Sequence, residues 1–180
     1  MTPNGAKRRI TARWLLVTVG LLVPAALFGQ DEVIGIPVGA TPSAVTIEDL
    51  QGNPVSLSQW IGKKPVLVEF WATWCPICEE LVPKMEAAHR RFGDRVEVLA
   101  IAVAVNQSKR SVQRHLDRHP MPFPFLWDTN GNATRAFQAP STSYVVVLDA
   151  SGKVVYTGVG AEQDLEAAME AAAGGGKGRR

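Results

Sequence analysis

The sequence predicts an α/β sandwich around a mixed central sheet, and three patterns predict it. Apolar, β-branched runs alternate with amphipathic helical stretches between residues 65 and 119. The chain then closes with two strand-like runs around a tight turn, followed by one helix. A shorter hairpin-like pair of runs precedes all of these. The strand–helix–strand start should be parallel and right-handed, and the terminal hairpin antiparallel.

The elements follow in chain order. Residues 44–57 read as a hairpin turning at Gln51-Gly52-Asn53-Pro54. Ser58 caps a short helical turn through Trp60. Residues 65–71 are β-branched and aromatic with one acid, Glu69, and read as a buried strand. From Cys75 a helix runs with Leu81, Val82, Met85, Ala88 and His89 at three- and four-residue spacing, until Gly93-Asp94 stops it. Residues 96–105 form a second apolar strand with Glu97 its only charge. Residues 108–119 read as a polar helix closed by Pro120. The prolines of residues 121–127 forbid a helix there, so that stretch is extended and packs on the body. A turn at 128–131 and a short helix over 133–137 follow. Residues 144–148 and 153–157 are the last strands, around the turn at 149–152. Residues 161–173 are a helix with Leu165, Ala168, Met169 and Ala172 on one face. No repeats are visible.

Composition narrows the function. With 46% hydrophobic residues the chain can build a real core. The formal charge of +2 hides an acidic body. Seven of the 19 basic residues lie in the two termini, which leaves 12 against 17 acids. No basic patch is interleaved with aromatics, which argues against nucleic acid. Lys7, Arg8, Arg9 and Arg13 precede 15 uncharged residues from Trp14 to Phe28. That run is short for a membrane span and fits an export signal. Residues 1–29 are therefore expected to be a signal peptide or an N-terminal membrane anchor. Either one leaves the body periplasmic or otherwise extracytoplasmic. Residues 30–43, rich in Gly and Pro, read as a linker, residues 44–173 as the domain, and residues 174–180 as a flexible basic tail.

The chain has two cysteines, Cys75 and Cys78, in the run Phe70-Trp71-Ala72-Thr73-Trp74-Cys75-Pro76-Ile77-Cys78. The pair follows a strand and opens a helix. A thiol there faces unpaired backbone N–H groups and the positive end of the helix dipole, and both favour the reactive thiolate. Redox chemistry is the leading reading; a structural disulfide and half of a metal site are the alternatives.

On this run the chain resembles the thioredoxin-like thiol–disulfide oxidoreductases of the TlpA/ResA type, over residues 38–173. Pro83 matches the proline within the family's first long helix, and Leu148-Asp149 to Gly152 match its last hairpin. The resemblance implies a thioredoxin-like sandwich with an N-terminal hairpin and an insertion after the second core strand. It implies Cys75 as nucleophile, Cys78 as the resolving thiol, and a redox-active Cys75–Cys78 disulfide with no other cofactor and no metal. Glu69 matches the buried acid of thioredoxins, where it would take the proton of Cys78; strand alternation could instead turn it to solvent. Trp74, Pro76, Thr142 and Ser143 would bind substrate, with Trp74 beside an exposed sulfur. Trp71 is as readily core, and Trp60, Phe125 and Trp127 are packing. The implied partners are protein disulfides or thiols, such as apocytochromes in cytochrome c maturation, and a membrane thiol electron donor.

One departure concerns the family's cis-proline before the last hairpin. Its slot falls on Ser143, and the nearest proline, Pro140, is three residues early. Either Pro140 serves through a rearranged loop or the chain lacks that proline; the ungapped hairpin spacing favours the second. Its loss strengthens a rival reading, a Cu(I)-binding metallochaperone using the two soft thiolates. A thiol peroxidase is a third reading, which the placement of the pair disfavours. His115 and His119, four apart, could share a metal, but Arg114 and Arg118 beside them suggest a solvated face. His89 is expected on the surface of the cysteine helix.

Overall fold

Hydrophobic patterning becomes one seven-stranded sheet flanked by helices in the computed structural model, which describes residues 35–174. The strands are β1 (Thr46–Asp49), β2 (Pro54–Ser56), β3 (Val66–Trp71), β4 (Glu97–Val103), β5 (Phe125–Asp128), β6 (Tyr144–Leu148) and β7 (Val154–Val159). The helices are α1 (Pro76–Phe92), α2 (Lys109–Arg118), α3 (Asn132–Ala136) and α4 (Leu165–Ala173), with a 3-10 turn at Leu57–Gln59. The sheet order is β2-β1-β5-β4-β3-β6-β7. The β3–α1–β4 unit is parallel, as predicted, and β6–β7 is antiparallel.

β3 is the central strand and is buried along its whole length. Alternation sends Val66, Val68 and Phe70 to one face and Leu67, Glu69 and Trp71 to the other. Phe70 meets Phe137 and Tyr144 at 5.6 and 6.0 Å, which puts the α3 layer on its face. Trp71 meets His115 of α2 and Phe125 of β5. His89 of α1 meets Phe123, which stacks on Phe125, so α1 and α2 cover the Glu69 face. α4 packs against α1.

The differences from expectation lie mostly at element ends. β4 stops at Val103, releasing Val105 to solvent. β7 ends two residues later than expected, and α4 begins only at Leu165, where Asp164 accepts from the N–H of Ala167. Residues 125–128 do more than pack. They pair parallel with β4 and antiparallel with β1, which joins the N-terminal hairpin to the sheet. The stretch expected as a linker is, over residues 35–43, tied to the body. Ile36 is buried and its N–H donates to the Tyr144 hydroxyl at 3.0 Å. Gly39 and Ala40 exchange backbone bonds with Val154. The expected signal or anchor at 1–29, and the tail beyond Gly174, lie outside the described residues. No helix of the described residues is long and apolar enough to cross a membrane.

Candidate active site

β3 ends in the centre of the sheet, so the Ala72–Cys75 turn emerges between two neighbouring strand ends. The N–H of Cys75 donates to the carbonyl of Ala72 at 3.1 Å, closing this turn. Cys75 is the N-cap of α1, with extended backbone, and Pro76 opens the helix where a missing N–H costs nothing. The Cys78 N–H donates to Cys75 Sγ at 3.2 Å and to the Cys75 carbonyl at 3.1 Å. Cys75 and Cys78 are joined as a disulfide with Cα atoms 5.3 Å apart. In the reduced chain the same N–H would face the Cys75 sulfur, where hydrogen bonding and the dipole favour thiolate.

The expected exposed sulfur is corrected. Cys75 and Cys78 are only 5% and 3% exposed in the disulfide form, because they join the buried core and the loop after β4 closes on the turn before them. What reaches solvent is an apolar rim of Trp74, Ile77 and Val105, each about half exposed, together with Pro76.

Glu69 is buried rather than turned to solvent. Its neighbours across the sheet are Ala100 of β4 and Val145 of β6, neither of which offers a side-chain donor. Its Oε1 has no hydrogen-bond partner. Desolvation alone pushes its pKa up to about 8. It shares the α1-covered face, on which Cys78 is the first buried residue of the helix.

Thr142 is half-buried and Ser143 buried. Tyr144 pairs with Phe70, so Ser143 sits beside the C-terminal edge of β3, from which the cysteine turn departs. Ser143, not the exposed Pro140, directly precedes β6. Every peptide bond among the described residues is trans, and Ser143 adopts φ 55° instead. Gly160 N–H donates to both Ser143 oxygens at 3.2 Å. Buried Gln163 donates to the carbonyls of Ser143 (3.2 Å) and Gly160 (2.6 Å), and accepts from the Tyr156 hydroxyl. This polar clamp holds a left-handed serine in the loop.

Gln107 is a site residue that sequence reasoning missed. Its Oε1 accepts from Thr73 N–H (2.9 Å) and Thr73 Oγ1 (3.0 Å), and its Nε2 donates to the Val103 carbonyl. Next to it the Trp74 indole N–H donates to the Val105 carbonyl at 2.8 Å. The loop after β4 thus pins the two residues before Cys75. The available signal was topological: parallel strands put the loops after β3 and β4 side by side.

Trp71 is core, as are Trp127 and, partly, Trp60 and Phe125. His89 is half-buried against Phe123 instead of lying on the surface, because α1 sinks that edge toward the extended stretch before β5. The His115 and His119 rings are 5.0 Å apart, but His115 is half-buried on Trp71 rather than solvated. Burial, then the neighbouring His119, lowers its pKa. No group of three or more His, Cys, Asp or Glu is arranged for a metal among the described residues.

The redoxin family model matches residues 37–173. The thiol–disulfide oxidoreductase ResA of Halalkalibacterium halodurans is 34% identical over 127 residues, covering 69% of this chain and 70% of that protein. A thioredoxin-family thiol:disulfide interchange protein of Chlorobium tepidum is 25% identical at TM-score 0.63, covering 76% and 97% of the two chains. The exposed lipoprotein thioredoxin Etrx1 of Streptococcus pneumoniae is 25% identical at TM-score 0.59, covering 68% and 93%. With a cysteine pair placed where that chemistry needs it, the chain belongs to the redoxin family, among the TlpA/ResA-type thiol–disulfide oxidoreductases.

Proposed function

We propose that this oxidoreductase reduces protein disulfides outside the cytoplasm through its Cys75-Pro76-Ile77-Cys78 dithiol. The observation that carries this reading is the position of Cys75. It caps α1 with its sulfur facing a backbone N–H, and Cys78 lies one helical turn behind. The Cys75 thiolate attacks one sulfur of the partner's disulfide. That bond breaks, the departing sulfur leaves as a thiolate, and a mixed disulfide forms. Cys78 then loses its proton and attacks Cys75 Sγ, releasing the second partner thiol and leaving the Cys75–Cys78 disulfide. Two electrons pass from the dithiol to the partner. Glu69 suits the proton step, because a carboxyl raised to about 8 lies close to an ordinary thiol. Trp74, Pro76 and Thr142 offer the surface on which the partner chain lies, and buried Ser143 shapes the loop beneath it.

The compartment is supported by the basic N-terminus and its uncharged run, and by a solved relative described as an exposed lipoprotein. An oxidising compartment requires an outside electron supply, which a membrane thiol donor would provide. Apocytochromes are the substrate class that the TlpA/ResA resemblance suggests. The Cu(I)-carrier reading rests on the same two sulfurs. The redox reading stands first because the similar ResA proteins are thiol–disulfide oxidoreductases.

Trapping tests the proposal. Cys78→Ala in the native compartment should accumulate mixed disulfides with extracytoplasmic proteins, and Cys75→Ala should form none. Adducts that persist without Cys75 would remove it as nucleophile, and a reduction potential in the strong-oxidant range would reverse the direction.

A further inference from the structure

α2 carries a row of arginines at positions 110, 114 and 118, four residues apart and therefore along one side of the helix. All three are exposed, and none has a carboxylate partner among the described residues. This is unusual in a body that holds 12 basic residues against 17 acids. Lys109, by contrast, is paired with Glu48. Arg114 and Arg118 line a surface groove with Thr73, Ser111, His115 and Asp117. Thr73 is two residues from Cys75, so the cationic row borders the redox turn directly. Asp117, the acid in this groove, accepts from Gln113 on its own helix. The acids Glu79 and Glu86 lie in a neighbouring groove between α1 and α2 that His115, Arg118 and His119 also line. Arg118 thus stands between the two grooves, and the Thr73 groove, with Arg114 and Arg118 against the single acid Asp117, is the cationic one.

Resting on the oxidoreductase reading, we infer that the Arg114–Arg118 margin docks acidic polypeptide next to the partner's reactive cysteine. A partner sulfur must reach Cys75 across the Trp74 rim. The chain flanking that sulfur then passes over the Thr73 groove, where guanidiniums without a carboxylate partner favour Asp and Glu, although Arg118 Nε also donates to the Arg114 carbonyl. An anionic lipid surface seated on the same row would cover the disulfide, which argues for a protein occupant. Complementary charge chiefly raises the encounter rate and is screened by salt.

The test uses the reduced protein and two synthetic peptide disulfides with one Gly-Cys-Gly centre, flanked by glutamates or by lysines. Each rate is divided by that peptide's rate with dithiothreitol, to remove intrinsic reactivity. Hydroxyethyl disulfide serves as an uncharged control. At low salt the glutamate peptide should react about tenfold faster than the lysine peptide. At about 0.5 M NaCl, where screening acts over about 4 Å, the ratio should fall toward one. Arg114→Gln/Arg118→Gln should abolish the preference and Arg114→Glu/Arg118→Glu should invert it, with the control rate unchanged. A wild-type ratio near one at low salt overturns the inference, as does a preference that survives charge reversal. Arg-dependent binding to phosphatidylglycerol vesicles without a peptide preference also overturns it, and assigns the row to a membrane. Failure to reduce even hydroxyethyl disulfide removes the oxidoreductase reading itself and the docking role with it.

Discussion

Replacing Glu69 by Gln should change how the protein's stability depends on pH. The carboxyl is buried between Ala100 and Val145 on the sheet, with Oε1 unpaired, and its pKa rises from 4.5 to about 8. Between those values the folded chain keeps a proton that the unfolded chain has released. Stability from this group is therefore complete below about 4.5 and lost as pH rises through 8. Linkage over this shift gives a loss of about 3–4 kcal/mol between pH 5 and pH 8. With a urea slope near 2 kcal/mol per molar, the midpoint should drop by about 1.5–2 M. Glu69→Gln keeps the shape, removes the ionisation, and should flatten this fall. The assay is urea unfolding of the oxidised protein, in which the cysteines cannot titrate, at a series of pH values. His115, whose pKa is lowered, tilts the curve the other way near its own titration. The difference between wild type and variant cancels that contribution. Parallel curves for the two proteins between pH 5 and pH 8 would refute the desolvation argument. In turnover, the same variant should release trapped mixed disulfide about a hundredfold more slowly if Glu69 takes the Cys78 proton.

Other substitutions test the supports of the site. Gly35 has φ 75°, and a Cβ there would lie 2.1 Å from the Tyr144 hydroxyl. Gly35→Ala should therefore cost about 2–3 kcal/mol in urea unfolding, and Tyr144→Phe, which orphans the Ile36 N–H, about 1–2 kcal/mol. Gln107→Ala removes the acceptor of both Thr73 donors and should cost about 1–2 kcal/mol, with a matching loss of amide-exchange protection at Thr73. Buried Asp128 accepts from the Ala133 and Thr134 N–H groups and from Thr134 Oγ1. Asp128→Ala should cost about 2–3 kcal/mol and unravel α3 first, read by hydrogen exchange.

The chain's own pattern determined a good deal. β-branched runs marked β3 and β6, three- and four-residue spacing marked α1, and the Trp74-Cys75-Pro76-Ile77-Cys78 run marked the redox pair at a helix start, because all of these are local in sequence. Glu69 was visible as a lone acid in an apolar strand, but whether it faced solvent or core depended on which face α1 covers. Tertiary structure alone decided that. It also decided that residues 125–128 bridge two parts of the sheet, that Gln107 reaches back 34 residues to Thr73, and that Gln163 holds Ser143. Each depends on polar groups brought together by strand order, and a hydrogen bond between distant residues leaves no periodic trace in the chain. The burial of Cys75 has the same origin: a helix start shows where a thiol lies along the chain, whereas the packing of neighbouring loops sets how much solvent reaches it.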